Sequence, residues 1–201
     1  MKKLYVIIVG AVFLAINLFS TTNVFATESL NSNNYSMSYL EDGITIIDNS
    51  LLNSSFDISQ LSINDMPLRA PRYKVQDVKN LGTYVDYSRS FGTVSGNKGV
   101  TINLSKSISV SSSISSSFGA SYGQVSSAVG FNVSSSSTLT YSGSYKVPSN
   151  VSRAELTAYP LYQRYQYSVY LKGKSWIKDT KLGVGYAYKP IGIHYNKKII
   201  K

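Results

Sequence analysis

Few side chains in this sequence are able to do covalent or metal chemistry. His194 is the only histidine, and there is no cysteine. A Cys–His pair and a multi-histidine metal site are therefore excluded. A Ser–His–Asp triad could use only His194, which stands in Gly192-Ile193-His194-Tyr195 with no nucleophile motif beside it. The expectation is a surface or loop histidine. In the basic part of the chain, paired carboxylates could come only from Asp77, Asp86, Glu155 and Asp179. Asp77 comes shortly before Lys79 and Asp179 follows Lys178, a pattern of ordinary surface pairing rather than of a glycosidase dyad. There is no phosphate loop and no dinucleotide fingerprint. These residues predict a protein that is not an enzyme and takes no cofactor and no metal.

What remains is the chemistry of surfaces. Fourteen of the 17 tyrosines lie after residue 69, mixed with lysine between Tyr159 and Trp176 and between Tyr186 and Tyr195. Rings beside cations can stack on bases and hold phosphates. They also suit the lipid headgroup level, where a ring is half apolar. Strand tyrosines serve equally as packing residues. The expected contacts to an anionic surface are Lys172, Lys174, Trp176, Lys178, Lys189, Lys197 and Lys198. Export, argued below, points away from nucleic acid and towards an anionic membrane or a cell-surface polymer.

The element that must act at such a surface is legible in the charge pattern. Ser107 to Tyr145 is a run of 39 residues with no charge, bracketed by Lys106 and Lys146. In its first arm the apolar residues fall on even positions: Ile102, Leu104, Ile108, Val110, Ile114, Phe118, Ala120 and Tyr122. In the second arm they fall on odd positions: Val129, Phe131, Val133, Leu139, Tyr141, Tyr145 and Val147. Period two predicts strands with one apolar and one Ser/Thr face. The flip of parity predicts an antiparallel hairpin with an even-numbered loop. Pairing Tyr122 with Val129 leaves Gly123 to Ala128 as the loop and sets Phe118 opposite Val133 and Val110 opposite Tyr141. The expected lipid-facing set is Ile108, Val110, Ile114, Phe118, Tyr122, Val129, Phe131, Val133, Leu139 and Tyr141. Soluble sheets usually guard an exposed face with charge, whereas a barrel lumen accepts hydroxyls. Ser112, Ser116, Ser135 and Ser137 interrupt the apolar face.

The rest of the chain frames this hairpin. Lys2 and Lys3, the apolar core Leu4 to Phe19 and Val24-Phe25-Ala26 read as an export signal over 1–26, cleaved after Ala26. Export without cysteine fits a Gram-positive bacterium and a secreted protein, with attachment to the cell surface an option. Residues 27–68 hold six acids and no Lys or Arg, a net of −6. Residues 69–201 hold 18 Lys and Arg and four acids, 18 − 4 = +14. The acidic part is expected to be a poorly ordered leader or pro-segment, with Arg69 and Arg72 as processing sites. Residues 69–201 are expected to form one basic all-β domain containing hairpin 101–147, with long antiparallel strands in an elongated sheet or sandwich. Strand-like runs occur at Tyr73 to Lys79, Tyr84 to Val94, Glu155 to Gly173 and Lys181 to Tyr188, and no helical period is evident after residue 69.

On the Ser/Thr-rich hairpin Thr101 to Val147, set between long strands of an exported all-β protein, the chain resembles the aerolysin-like group of β-pore-forming toxins. The resemblance covers about a quarter of the chain. It implies a soluble monomer that binds a surface, forms a homo-oligomeric ring and converts the hairpin into a barrel, often after loss of a propeptide. The alternative is a secreted or wall-associated β-sandwich that binds anionic polymers or glycans without permeabilising membranes.

Overall fold

Alternation of apolar and polar residues in runs this long leaves one solution, sheets that bury one face against each other. The computed structural model describes residues 25–26, 34–40, 43–57 and 72–200. The export signal up to residue 24 and Arg69 lie outside the described residues. In chain order the elements are β1 (Phe25–Ala26), β2 (Tyr35–Leu40), β3 (Gly43–Asp48), α1 (Asn49–Asn53), β4 (Tyr73–Val85), β5 (Gly92–Asn97), β6 (Thr101–Ser111), β7 (Ser113–Ile114), α2 (Tyr122–Val129), β8 (Ser136–Lys146), β9 (Arg153–Leu171) and β10 (Thr180–Ile200). The fold is all-β, of long antiparallel strands. No helix among the described residues is long and apolar enough to cross a membrane.

The larger sheet runs β2-β3-β10-β9-β4, with β5 also pairing β9 and β7 pairing β10. Its spine is the hairpin of β9 and β10. At about 3.3 Å per residue, the 21 residues of β10 span roughly 70 Å. Register shifts at Lys181/Gly183 and Pro190/Gly192 are bulges, and the second lets Pro190, which has no N–H, sit inside a long strand. The smaller sheet runs β1-β8-β6. Its inner face, with Ile102, Val110, Leu139, Tyr141 and Tyr145, shares one core with Ile44, Leu156, Ile193 and Tyr195 of the large sheet.

Part of the acidic segment, expected to be poorly ordered, belongs to this architecture. β3 pairs with β10 from Ile47↔Gly192 to Gly43↔Asn196, and Ile44 and Ile46 lie in the core. Gly192 is required here, because a Cβ would collide with the carbonyl oxygen of Ile46. From β3 the chain continues as a strap, α1 and residues 54–57, whose Phe56 N–H reaches Gly130 O at 3.0 Å.

Three expectations are corrected. The hairpin register has Val110 opposite Ser137 and Ile108 opposite Leu139, four residues away from the pairing of Val110 with Tyr141. An even slip leaves every side chain on its expected face. The arms are also 11 residues each, because residues 112–135 leave the hairpin. Within them lies α2, where no helix was expected. Its signal is a capping box: Ser121 Oγ accepts from Gln124 N and Gln124 Oε1 from Ser121 N, while Gly130 closes the C-terminus with a positive φ of 82°. Val125 and Val129, spaced i, i+4, form its buried side.

Candidate functional site

The two faces of the β6–β8 hairpin differ as sharply as the alternation requires. Outward, hydroxyls pair across the strands: Ser105–Ser142 at 2.8 Å, Ser107–Thr140 at 2.7 Å and Ser111–Ser136 at 2.9 Å. Such cross-strand pairs stabilise a sheet without any charge. Inward, Val110, Leu139 and Tyr141 are buried and Ile108 is partly buried against the large sheet. The seam is imperfect. The Tyr141 hydroxyl is buried and has no hydrogen-bond partner, and a small void of about 20 Å³ lies beside it between β8, β3 and β10. An unsatisfied buried hydroxyl costs about 1–3 kcal/mol.

The middle of the charge-free run pairs along β10 instead of extending the hairpin. β7 pairs Ser113 with Tyr188 and Ile114 with Ala187. Ser115 N–H donates to Tyr186 O at 2.8 Å, and Tyr167 Oη donates to Ser116 O at 2.6 Å. Phe118, at a φ of 48°, lies over Gly183, where a Cβ would meet its ring. Gln124 Nε2 donates to Tyr73 O at 2.8 Å, tying α2 to the start of β4. Val129, Phe131 and Val133 are buried with Tyr167, Val169 and Ala187 in a second core, against which Ile114 packs partly buried. Phe118 and Tyr122 are exposed. The interrupting serines mark this departure: Ser112 and Ser135 pair by Ser112 N to Ser135 O, 2.7 Å, where the arms separate.

The far part of this segment, Phe118 and Gly119, lies against Gly183 and Tyr73, and Tyr73 is the Cα partner of Leu171, the last residue of β9 before its turn to β10. There Trp176 is 85% exposed and Ile177 is also exposed. Arg72, Lys172, Lys174 and Lys178 line an open cleft of about 520 Å³. Backbone bonds hold the turn: Lys172 N–H donates to Arg72 O, just before β4, at 2.9 Å, and Ile177 N–H to Lys174 O at 2.9 Å. Asp179 accepts from Gly173 N at 3.1 Å and pairs with Lys74 at 3.4 Å. The Gly173 N–H, with Lys74 beside it, holds this carboxyl below its ordinary range.

The seven residues expected at an anionic surface therefore separate into three groups. Lys172, Lys174, Trp176 and Lys178 come together at this tip. Lys197 and Lys198 lie near the far end of β10, opposite Leu156 and Glu155. Lys189 is not a surface residue. It is 7% exposed and donates to Leu52 O at 2.9 Å and Ser54 O at 2.7 Å, clasping the strap to β10. Burial pushes its ammonium below the usual lysine range.

His194 is likewise interior rather than on a surface or loop. It is fully buried, with Nδ1 3.0 Å from Thr45 Oγ1 and Nε2 3.4 Å from Tyr87 Oη. Its ring pins β3 to β10. Of the two residues flanking the expected cleavages, Ala26 pairs by its backbone with Ser144 of β8, and Arg72 is exposed beside β4. Among the described residues, no group of three or more His, Cys, Asp or Glu side chains is placed to hold a metal.

Compared with known proteins, the sequence matches no protein-family model and no curated protein.

Proposed function

We propose that this chain is a secreted, non-enzymatic, membrane-active β-protein of the pore-forming kind, which meets anionic lipid with the β9–β10 tip and then inserts the β6–β8 hairpin. One observation carries the reading. The β6–β8 hairpin, which holds both ends of the charge-free run, is a separate layer with hydroxyls outside and apolar groups inside, Lys106 alone charged on its apolar side. The segment between its arms reaches Gly183 and Tyr73, next to the strand ends that lead into the tip with Trp176 and the lysines. A spanning strand needs ~9–11 residues, and each arm has 11. Lipid would take over the apolar face that the large sheet now covers, and the hydroxyl ladder would line water. Homo-oligomerisation closes the barrel, since an isolated hairpin leaves its edges unpaired in lipid.

The second reading is a wall-associated sandwich that grips an anionic polymer or glycan through the same tip. The lysine cluster favours it equally, and the hairpin has no part in it. Dye release from vesicles containing anionic lipid separates the two. The membrane-active protein binds and releases dye; the polymer binder adheres without release. Absence of release at saturating binding sinks the first reading.

A further inference from the structure

A cleft of about 290 Å³ lies where the strap, the base of the hairpin and β10 meet. Neither reading above uses it. The strap contributes Ser54 and Asp57, the segment before β8 Asn132 and Ser135, β8 Ser137, and β10 contributes Lys189. We propose that this cleft binds one neutral sugar ring.

The lining selects that class of ligand. Hydroxyls and an amide donate and accept in many directions, as a ring of hydroxyl groups requires. One ammonium and one carboxylate on the same walls leave the cleft without net charge, which disfavours a simple anion or cation. Phe56, partly buried, adds an apolar ring to the lining, suited to the C–H face of a pyranose; Phe131 also lines the cleft but is buried in the second core. The volume is at the small end of ligand sites, which run from about 300 to 1,000 Å³, so one ring fits and an oligosaccharide would have to extend outwards.

Lys189 supplies a fixed donor. An ammonium has three N–H groups; two are directed to Leu52 O and Ser54 O, and the ammonium also stands 6.0 Å from the centre of the Phe131 ring. A sugar hydroxyl joins this set inside a wall where the charge is already desolvated. Because three separate elements form the cleft, the ligand binds only while the strap and hairpin are docked. By linkage it must then raise the stability of the closed molecule by RT ln(1 + [L]/Kd). This claim concerns the closed fold and does not depend on membrane insertion.

The test is a thermal melt of the full chain with D-galactose, D-glucose or N-acetyl-D-glucosamine, each raised to about 50 mM, beside phosphate and acetate controls. At least one sugar should raise Tm saturably, with the protein dissociating it at about 1–10 mM. Ser137→Leu fills the cleft and should weaken that shift at least about tenfold, whereas Ser105→Ala, on the outer face, should leave it intact. If Ser137→Leu does not fold, Ser54→Trp on the exposed strap blocks the same opening. No shift with any of the three sugars overturns the proposal. So does a shift that survives the blocking variant, or one produced by phosphate or acetate and by no sugar.

Discussion

Tyr141 and Tyr195 touch each other across the hairpin–body seam, with ring centroids 5.9 Å apart, yet their hydroxyls differ in kind. Tyr195 Oη donates to Leu104 O at 3.2 Å, while Tyr141 Oη has no partner. Tyr195→Phe should therefore destabilise the protein by about 1 kcal/mol, and Tyr141→Phe should leave it unchanged or stabilise it by about 1 kcal/mol. Denaturant melts of the two variants check this, and equal losses would mean the seam is not as described. Tyrosine burial also fixes a pH dependence. Burial raises the Tyr167 phenol to about 12 and lifts Tyr195 further. The fold therefore keeps protons that the unfolded chain releases near pH 10. This stability is fully present below pH 10 and is lost as pH rises through 12 and beyond. Lys189, lowered by burial, works in the opposite sense as pH approaches the ordinary lysine value, but it is one group against at least two. The melting temperature should fall steeply above pH 10, and a flat profile to pH 12 would contradict the burial. None of this was legible in the sequence. His194, Lys189 and the buried tyrosines look like their exposed counterparts until pairing partners distant in the chain are known.

At the scale of elements, the tip and the far end of β10 make a direct contrast. A lysine near an anionic surface contributes about 1 kcal/mol. Replacing Lys172, Lys174 and Lys178 together with Gln should weaken binding to anionic vesicles by about 3 kcal/mol, roughly 100-fold. The same change at Lys197 and Lys198 should matter little. Co-sedimentation at low and physiological salt reads both, and equal losses would remove the tip from its role. The sequence showed the lysines but not their grouping, because the β9–β10 hairpin carries residues adjacent in composition to opposite ends of the molecule. It showed the hairpin better. Period two from Thr101 to Ser111 and from Ser136 to Lys146 names the right strands and the right faces. Between them the same alternation continues by coincidence, with Phe131 and Val133 packing in a second core. The competing signal, Ser121 and Gln124 at capping-box spacing before Val125 and Val129, was present but short.

For the whole molecule, the −6/+14 division marks a change of composition that does not coincide with an edge of the fold. Ile44 and Ile46 belong to the core, and the strap is clasped by Lys189 and Gly130. A chain beginning at residue 70 should lose about 1.5–3 kcal/mol for each of these two side chains. It should also expose the β10 edge between Gly192 and Asn196 to pairing with other chains. Its Tm should lie well below that of 27–201 and it should self-associate; equal melts would make the strap dispensable. The alternation Ile44-Thr45-Ile46 was there to be read, but the acidic, Asn- and Ser-rich surroundings concealed it.

The central claim is that the hairpin must leave the large sheet for the membrane to be breached. β7 offers a lock. Ile114 and Ala187 are Cα partners, and the neighbouring Ser115 N–H to Tyr186 O bond makes theirs the close type of antiparallel pair, about 4.5 Å between Cα atoms, within reach of a disulfide. The chain has no other cysteine to interfere. In the double variant Ile114→Cys/Ala187→Cys, dye release from anionic vesicles should be abolished when oxidised and restored by reductant, with vesicle binding unchanged throughout. Release by the oxidised, folded protein at the rate of the reduced form would contradict the account.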